Sequence, residues 1–255
     1  MPELYTHRQF GEHILGMIAT FLDVDKEIFM WAQEGPDFWA YLTPSKYANR
    51  SKVMHACNAE DFIGFLLEKY PNDRLVLSYA MGFLCHMIYD EMAHPFVEYR
   101  INDPKAPWYC GGHMVLERAI DVLKMKEHGG RIRSLCKAWP FGKAKKLKQS
   151  LDSAYEEVYG WKNAYSEMRL AYCRRYLFYL AFWDPFWLVY AIGYLLKNDR
   201  IKAFSYHGKV FPNIDILNNN HNYWGDSDSS FDEITGNAIA VATEKIALYC
   251  HISRT

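Results

Sequence analysis

The sequence predicts an all-α protein, and three observations carry that expectation. Apolar residues recur at helical spacing through most of the chain, punctuated by Gly and Pro clusters. No run of useful length alternates apolar and polar residues as a half-buried strand would. Within FLCHMIYDEMAHPFVEY (83–99), His86, Asp90 and His94 recur at four-residue intervals in an otherwise apolar run. Each such step advances only about 40° around a helix, so the three polar side chains share one face.

The elements follow in order. QFGEHILGMIATFLDV (9–24) has the apolar spacing of a first helix, and GPDFW (35–39) is a Gly-Pro turn with an acid at its tip. Helical spacing resumes over 53–70 and stops at the PND that follows. The next helix covers 74–93 and is expected to end before Pro95, because a residue preceding proline disfavours the α region. A loop, INDPKAPWYCGG (101–112), leads into a helix over 111–126. Residues 129–150, rich in Gly and Lys, read as a connection holding one short helix, with the lysines of 143–148 on a solvated face. Helices are then expected over 151–160 and 164–182. Asp184-Pro185 divides the aromatic run 176–196, leaving neither half with the roughly 20 residues of a membrane span. Both halves are expected as core helices, with a membrane-facing surface as the alternative. An asparagine-rich loop (204–229) precedes a closing helix over 230–250.

Bulk properties exclude some functions. With half of its 255 residues hydrophobic, the chain can bury a substantial core, as one large domain or two small ones. A formal net charge of −1 argues against bulk attraction to nucleic acid or to an acidic membrane surface. The six cysteines form no CxxC pattern and read as reduced, mostly buried thiols of a cytoplasmic protein. MPELYTHRQFGEH, at the start, lacks the basic-then-apolar pattern of a secretory leader, which also points to the cytoplasm.

Chemistry concentrates in eight residues. His113 and Glu117 are a second i, i+4 pair and share a helix face. Asp37 sits in the GPDF turn, His55 among apolar neighbours, and His7 just before the first expected helix. A lone histidine on an apolar face usually bonds a carbonyl, and a lone HxxxE pair is usually a surface bridge. Together with His86, Asp90 and His94 the set is different, because burying so many ionisable groups without partners would cost several kcal/mol each. Imidazole and carboxylate with no thiolate in register suit zinc or a similar divalent ion at a catalytic site. Eight candidate ligands exceed the four of one tetrahedral zinc, which implies more than one ion. His13, six residues past His7, is assigned to surface or core instead.

Five ordered motifs then resemble the zinc-dependent phospholipase C family, whose fold includes secreted bacterial phospholipases C and fungal single-strand-specific nucleases: THRQFG (6–11), GPDF (35–38), MHACNAEDF (54–62), HMIYDEMAHP (86–95) and HMVLE (113–117). The tail NNNHNYWGDSDSSFDEI (218–234) is similar to cytoplasmic members, so the likeness spans nearly the whole chain and implies a single domain, 1–255. The resemblance implies a first zinc among Asp37, His55, His86 and Asp90, with Asp90 bridging. It implies a second held by His94, His113 and Glu117, and a third by His7 and Asp90. Secreted relatives also hold the third ion through a processed N-terminal tryptophan. No tryptophan precedes His7 here, so two ions, or three with the Met1 amine substituting, are both open.

The implied activity is hydrolysis of a phosphodiester or phosphomonoester, small or lipid, by zinc-activated water. Asp37 is the candidate general base, and Phe38 a candidate aromatic wall for the substrate, with packing as its alternative role. A nuclease on the same fold is the alternative enzyme, disfavoured by near-neutral charge and the lack of a basic stripe with interleaved aromatics. A non-catalytic metal-binding protein is the alternative from another class. The substrate itself and the oligomeric state leave no mark in the sequence.

Overall fold

The computed structural model describes residues 4–42, 45–102, 113–129, 140–183, 186–197 and 230–252. Among them the chain is all-α, with no strand. The helices are α1 (Leu4–Ile18), α2 (Lys26–Ala32), α3 (Ser45–Ala56), α4 (Ala59–Lys69), α5 (Arg74–Asn102), α6 (His113–Glu127), α7 (Phe141–Lys146), α8 (Lys148–Tyr159), α9 (Ala164–Trp183), α10 (Leu188–Leu195) and α11 (Phe231–Ile252). A 3-10 turn, Asp37–Tyr41, lies between α2 and α3.

Backbone packing divides the chain into two compact units that alternate along the sequence. One contains Met1–Thr6, Asp90–Lys137 and Tyr176–Ala238; the other contains His7–Tyr89, Ala138–Arg175 and Ile239–Thr255. The second unit has an aromatic core. Phe62 of α4 packs on Tyr155 of α8 with ring centres 4.8 Å apart, Trp31 of α2 meets Tyr79 of α5 at 5.1 Å, and Phe10 stacks on Tyr89 at 4.5 Å. Large rings bring much apolar area to each contact, which suits helices held mainly by packing rather than propensity. At Gly82 of α5 a Cβ would lie 2.3 Å from the Phe29 carbonyl oxygen, so only glycine lets α5 pass α2 so closely. The first unit is built around Phe96 and Val97 of α5, Leu116 and Ile120 of α6, and Phe231 of α11, all at most 1 % exposed.

Several boundaries differ from the sequence expectation. The apolar pattern of 53–70 contains two helices rather than one, because Asn58 between α3 and α4 takes a left-handed φ of 62° that breaks the ladder. Helix α5 does not stop before Pro95 but runs on to Asn102. The pre-proline restriction is a preference, and the burial of Ala93, Phe96 and Val97 outweighs it. Helix α2 was not anticipated; its signal is Asp25, whose side chain caps the N–H groups of Glu27 and Ile28. The region 129–150 contains the expected short helix as α7, but α8 also starts within it, at Lys148; its residues 130–139 lie outside the described set. Of the two helices expected from the aromatic run, α9 buries one face, but α10 does not belong to a core. Only Gly193 of α10 is buried, and Leu188, Tyr194 and Leu195 are more than 60 % exposed.

Among the described residues no helix is long and apolar enough to cross a membrane. The described cysteines are free, and Cys57 and Cys173 are exposed rather than buried. Cys85 is buried as expected, and burial pushes its thiol up to about 12, which keeps it unreactive. Of the loop expected over 101–112, residues 101–102 belong to α5 and 103–112 lie outside the described residues, as do Asp184-Pro185, the asparagine-rich segment 204–229, Met1, Cys110 and Cys136.

Candidate metal centre

Helix α5 explains why an apolar segment carries three polar residues in a line. His86, Asp90 and His94 occupy successive turns; His86 and Asp90 are buried at 0 % and 3 % exposure and His94 is partly exposed. In each unit, further imidazole and carboxylate groups stand beside the part of α5 that belongs to that unit.

In the unit His7–Tyr89, Asp37, His55 and His86 place one ligand atom each within 4.8 Å of the others. The GPDF turn and α3 pack together, which brings Asp37 against His55. Gly35, at φ +48°, turns the chain, and a Cβ there would come within 2.1 Å of the His86 ring, so the backbone itself walls the imidazole. The Nδ1 of His86 lies 3.0 Å from the Gln33 carbonyl oxygen, and the Nδ1 of His55 lies 2.7 Å from the Ser51 carbonyl oxygen. A carbonyl only accepts, so in both rings Nδ1 carries the proton and donates it. In the neutral ring Nε2 then keeps its lone pair. The two Nε2 atoms face each other 3.4 Å apart, with Asp37 oxygens 3.3 Å from His55 and 3.9 Å from His86. Two lone pairs and an anion aimed at one point suit a shared cation. His7 stacks on His86 with ring centres 4.2 Å apart and planes 15° from parallel.

The other unit repeats the arrangement. His94, His113 and Glu117 also place ligand atoms within 4.8 Å of one another. The Nε2 atoms of His94 and His113 are 3.2 Å apart, while the Nδ1 of His94 lies 3.2 Å from an Asp90 oxygen. Asp90 thus orients the His94 ring as the carbonyls orient His55 and His86. Glu117, one turn beyond His113 on α6, pairs with its Nε2. Burial, the largest influence, holds the His113 pKa down to about 4, so this ring is neutral near pH 7 and available as a ligand. The donor sets fit a borderline-soft divalent ion such as zinc, which accepts nitrogen and carboxylate oxygen together.

Every ligand candidate from the sequence lies beside at least one other. His13 is exposed and bonds the Gln9 carbonyl oxygen, in keeping with surface duty. Phe38 departs from a substrate-wall role: it is 1 % exposed, packed on Trp39 at 4.9 Å and Tyr172 at 5.1 Å. Burial against two rings fits the packing role given as its alternative. Sequence reasoning missed the carbonyls of Gln33 and Ser51, which no residue type marks. It also missed Glu34, which precedes the turn and pairs with Arg175 at 2.9 Å and Arg8 at 3.5 Å; burial pushes its carboxyl up despite both cations.

Comparison with curated proteins and with solved structures returned no match. The family model described as zinc dependent phospholipase C matches residues 6–179, more than half of the chain and every ligand candidate above. The chain belongs to the zinc-dependent phospholipase C family.

Proposed function

We propose that this protein is a metal-dependent phosphoric ester hydrolase, acting on a phosphodiester or phosphomonoester with zinc as its metal. The observation that carries the reading is the convergence of imidazole Nε2 and carboxylate oxygens in Asp37–His55–His86 and again in His94–His113–Glu117, within a chain of this family. Asp37, His55 and His86 would hold one ion, with Asp90 joining from the next turn of α5. His94, His113 and Glu117 would hold a second, and His7 with Asp90 a third. Zinc, when bound, supplies a Lewis acid that draws charge from phosphoryl oxygens and acidifies water.

The chain's own part is positioning and proton transfer. Asp37 is partly exposed, beside two rings whose outer nitrogens are committed to carbonyls. Its carboxylate takes the proton of the attacking water as the water oxygen bonds to phosphorus. The bond from phosphorus to the leaving alcohol breaks, and the departing alkoxide takes a proton from solvent.

The test is turnover of bis-p-nitrophenyl phosphate, p-nitrophenyl phosphocholine and single-stranded DNA by zinc-loaded protein, with and without chelator. Chelator-sensitive release of p-nitrophenol is expected, and Asp37→Asn should lower kcat by about 10²–10⁴-fold. Preferential cleavage of DNA would favour the nuclease reading. Zinc-loaded protein that turns over none of the three would leave a non-catalytic metal-binding role.

A further inference from the structure

Helix α6 does more than carry His113 and Glu117. One turn beyond Glu117 it presents Asp121, which is 2 % exposed. The Asp121 carboxylate accepts the backbone N–H of Tyr5 at 2.7 Å, the backbone N–H of Thr6 at 3.0 Å and the Thr6 hydroxyl at 2.8 Å. The first N–H groups of a helix have no partner within it, and a carboxylate there also meets the positive end of the helix dipole. Such caps ordinarily come from the residue preceding the helix. Here the cap lies at least 115 residues away in sequence, on the helix that carries two metal-ligand candidates.

The capped residues immediately precede His7. Two backbone donors on one carboxylate fix the position of the first turn of α1, and the Thr6 hydroxyl adds a third bond. Together they fix where the next side chain in the helix projects. His7 is itself 2 % exposed, stacked on His86 and edge-on to Tyr89 at 5.1 Å, so packing holds its ring where the first turn of α1 places it.

We propose that Asp121 and Thr6 are positioning residues that aim His7 at a metal ion, an inference that rests on the metal-dependent reading above. They touch no substrate and act through the start of α1. Partners that orient metal ligands typically change affinity about 10–100-fold when removed.

The test measures zinc per chain and its affinity, by chelator competition, for the wild-type chain, His7→Ala, Thr6→Val, Thr6→Ser and Asp121→Asn, with the melting temperature of each metal-free protein recorded alongside. His7→Ala should remove or weaken one class of zinc. Thr6→Val, which keeps the shape of the side chain and deletes its hydroxyl, should weaken that same class about 10-fold, and Asp121→Asn about 10–100-fold, with the remaining zinc unaffected. Thr6→Ser should restore wild-type affinity. Equal weakening of all zinc in step with melting temperature would make the contact purely structural and overturn the proposal. A normal zinc content in His7→Ala would overturn it while leaving the other two sites standing. A wild-type chain that binds no zinc would overturn the metal-dependent reading as well.

Discussion

Gly35 shows how narrowly one residue can constrain the site. Its φ of +48° is a conformation that side-chain-bearing residues avoid, and the space a Cβ would need is filled by the His86 ring. Gly35→Ala should therefore strain the turn by about 1–3 kcal/mol and push His86 from its place beside Asp37 and His55. Chelator competition should register weaker zinc binding along with a lower melting temperature; unchanged affinity would show that the ring position does not matter. At this scale the sequence marks the candidate ligands plainly. Histidine and carboxylate at i, i+4 in apolar surroundings are conspicuous, so His86, Asp90, His94, His113 and Glu117 could be named from spacing. What spacing could not supply was the tautomer control, since the carbonyls of Gln33 and Ser51 belong to the backbone. Nor could it tell that Phe38 faces Trp39 and Tyr172, because an aromatic beside a turn looks the same whether it packs or waits for a ligand.

Among the elements, α2 depends on a cap with its own pH signature. Asp25 accepts from the N–H groups of Glu27 and Ile28 and pairs with Lys143 and Arg74. Burial alone would raise its pKa, but the Lys143 and Ile28 bonds and the two cations outweigh this, so the folded carboxyl sits below its ordinary value. The folded state then binds that proton less readily than the unfolded chain does. The resulting stability is fully present above the unfolded value of about 4 and is lost as pH falls through the folded value. Asp25→Ala should cost about 1–2 kcal/mol near pH 7, with the difference from wild type shrinking below about pH 4 in urea melts. A gap that stays constant to low pH would mean that the carboxylate is not the stabilising group. Element type was legible because helical spacing is strong in most segments. Ends were less so: Asn58 can adopt a left-handed φ but nothing local required it, and Pro95 was overridden by burial two residues on. Helix α10 departs from the core expectation because an apolar run looks equally suited to a core or to an exposed face.

For the whole molecule, the all-α class and the family were readable from the order of five motifs, and the family model covers all of them. The division into two compact units was not readable, since the chain passes between them repeatedly and no linker composition marks the crossings. The account as a whole rests on cations at two places: among Asp37, His55 and His86, and among His94, His113 and Glu117. The most direct test is a crystal grown with zinc and measured on both sides of the zinc absorption edge. The account predicts anomalous peaks within about 2.0–2.2 Å of the ligating nitrogens and oxygens in both groups. Zinc-saturated crystals with no anomalous density beside those imidazoles, or with the groups bonded only to one another, would contradict it.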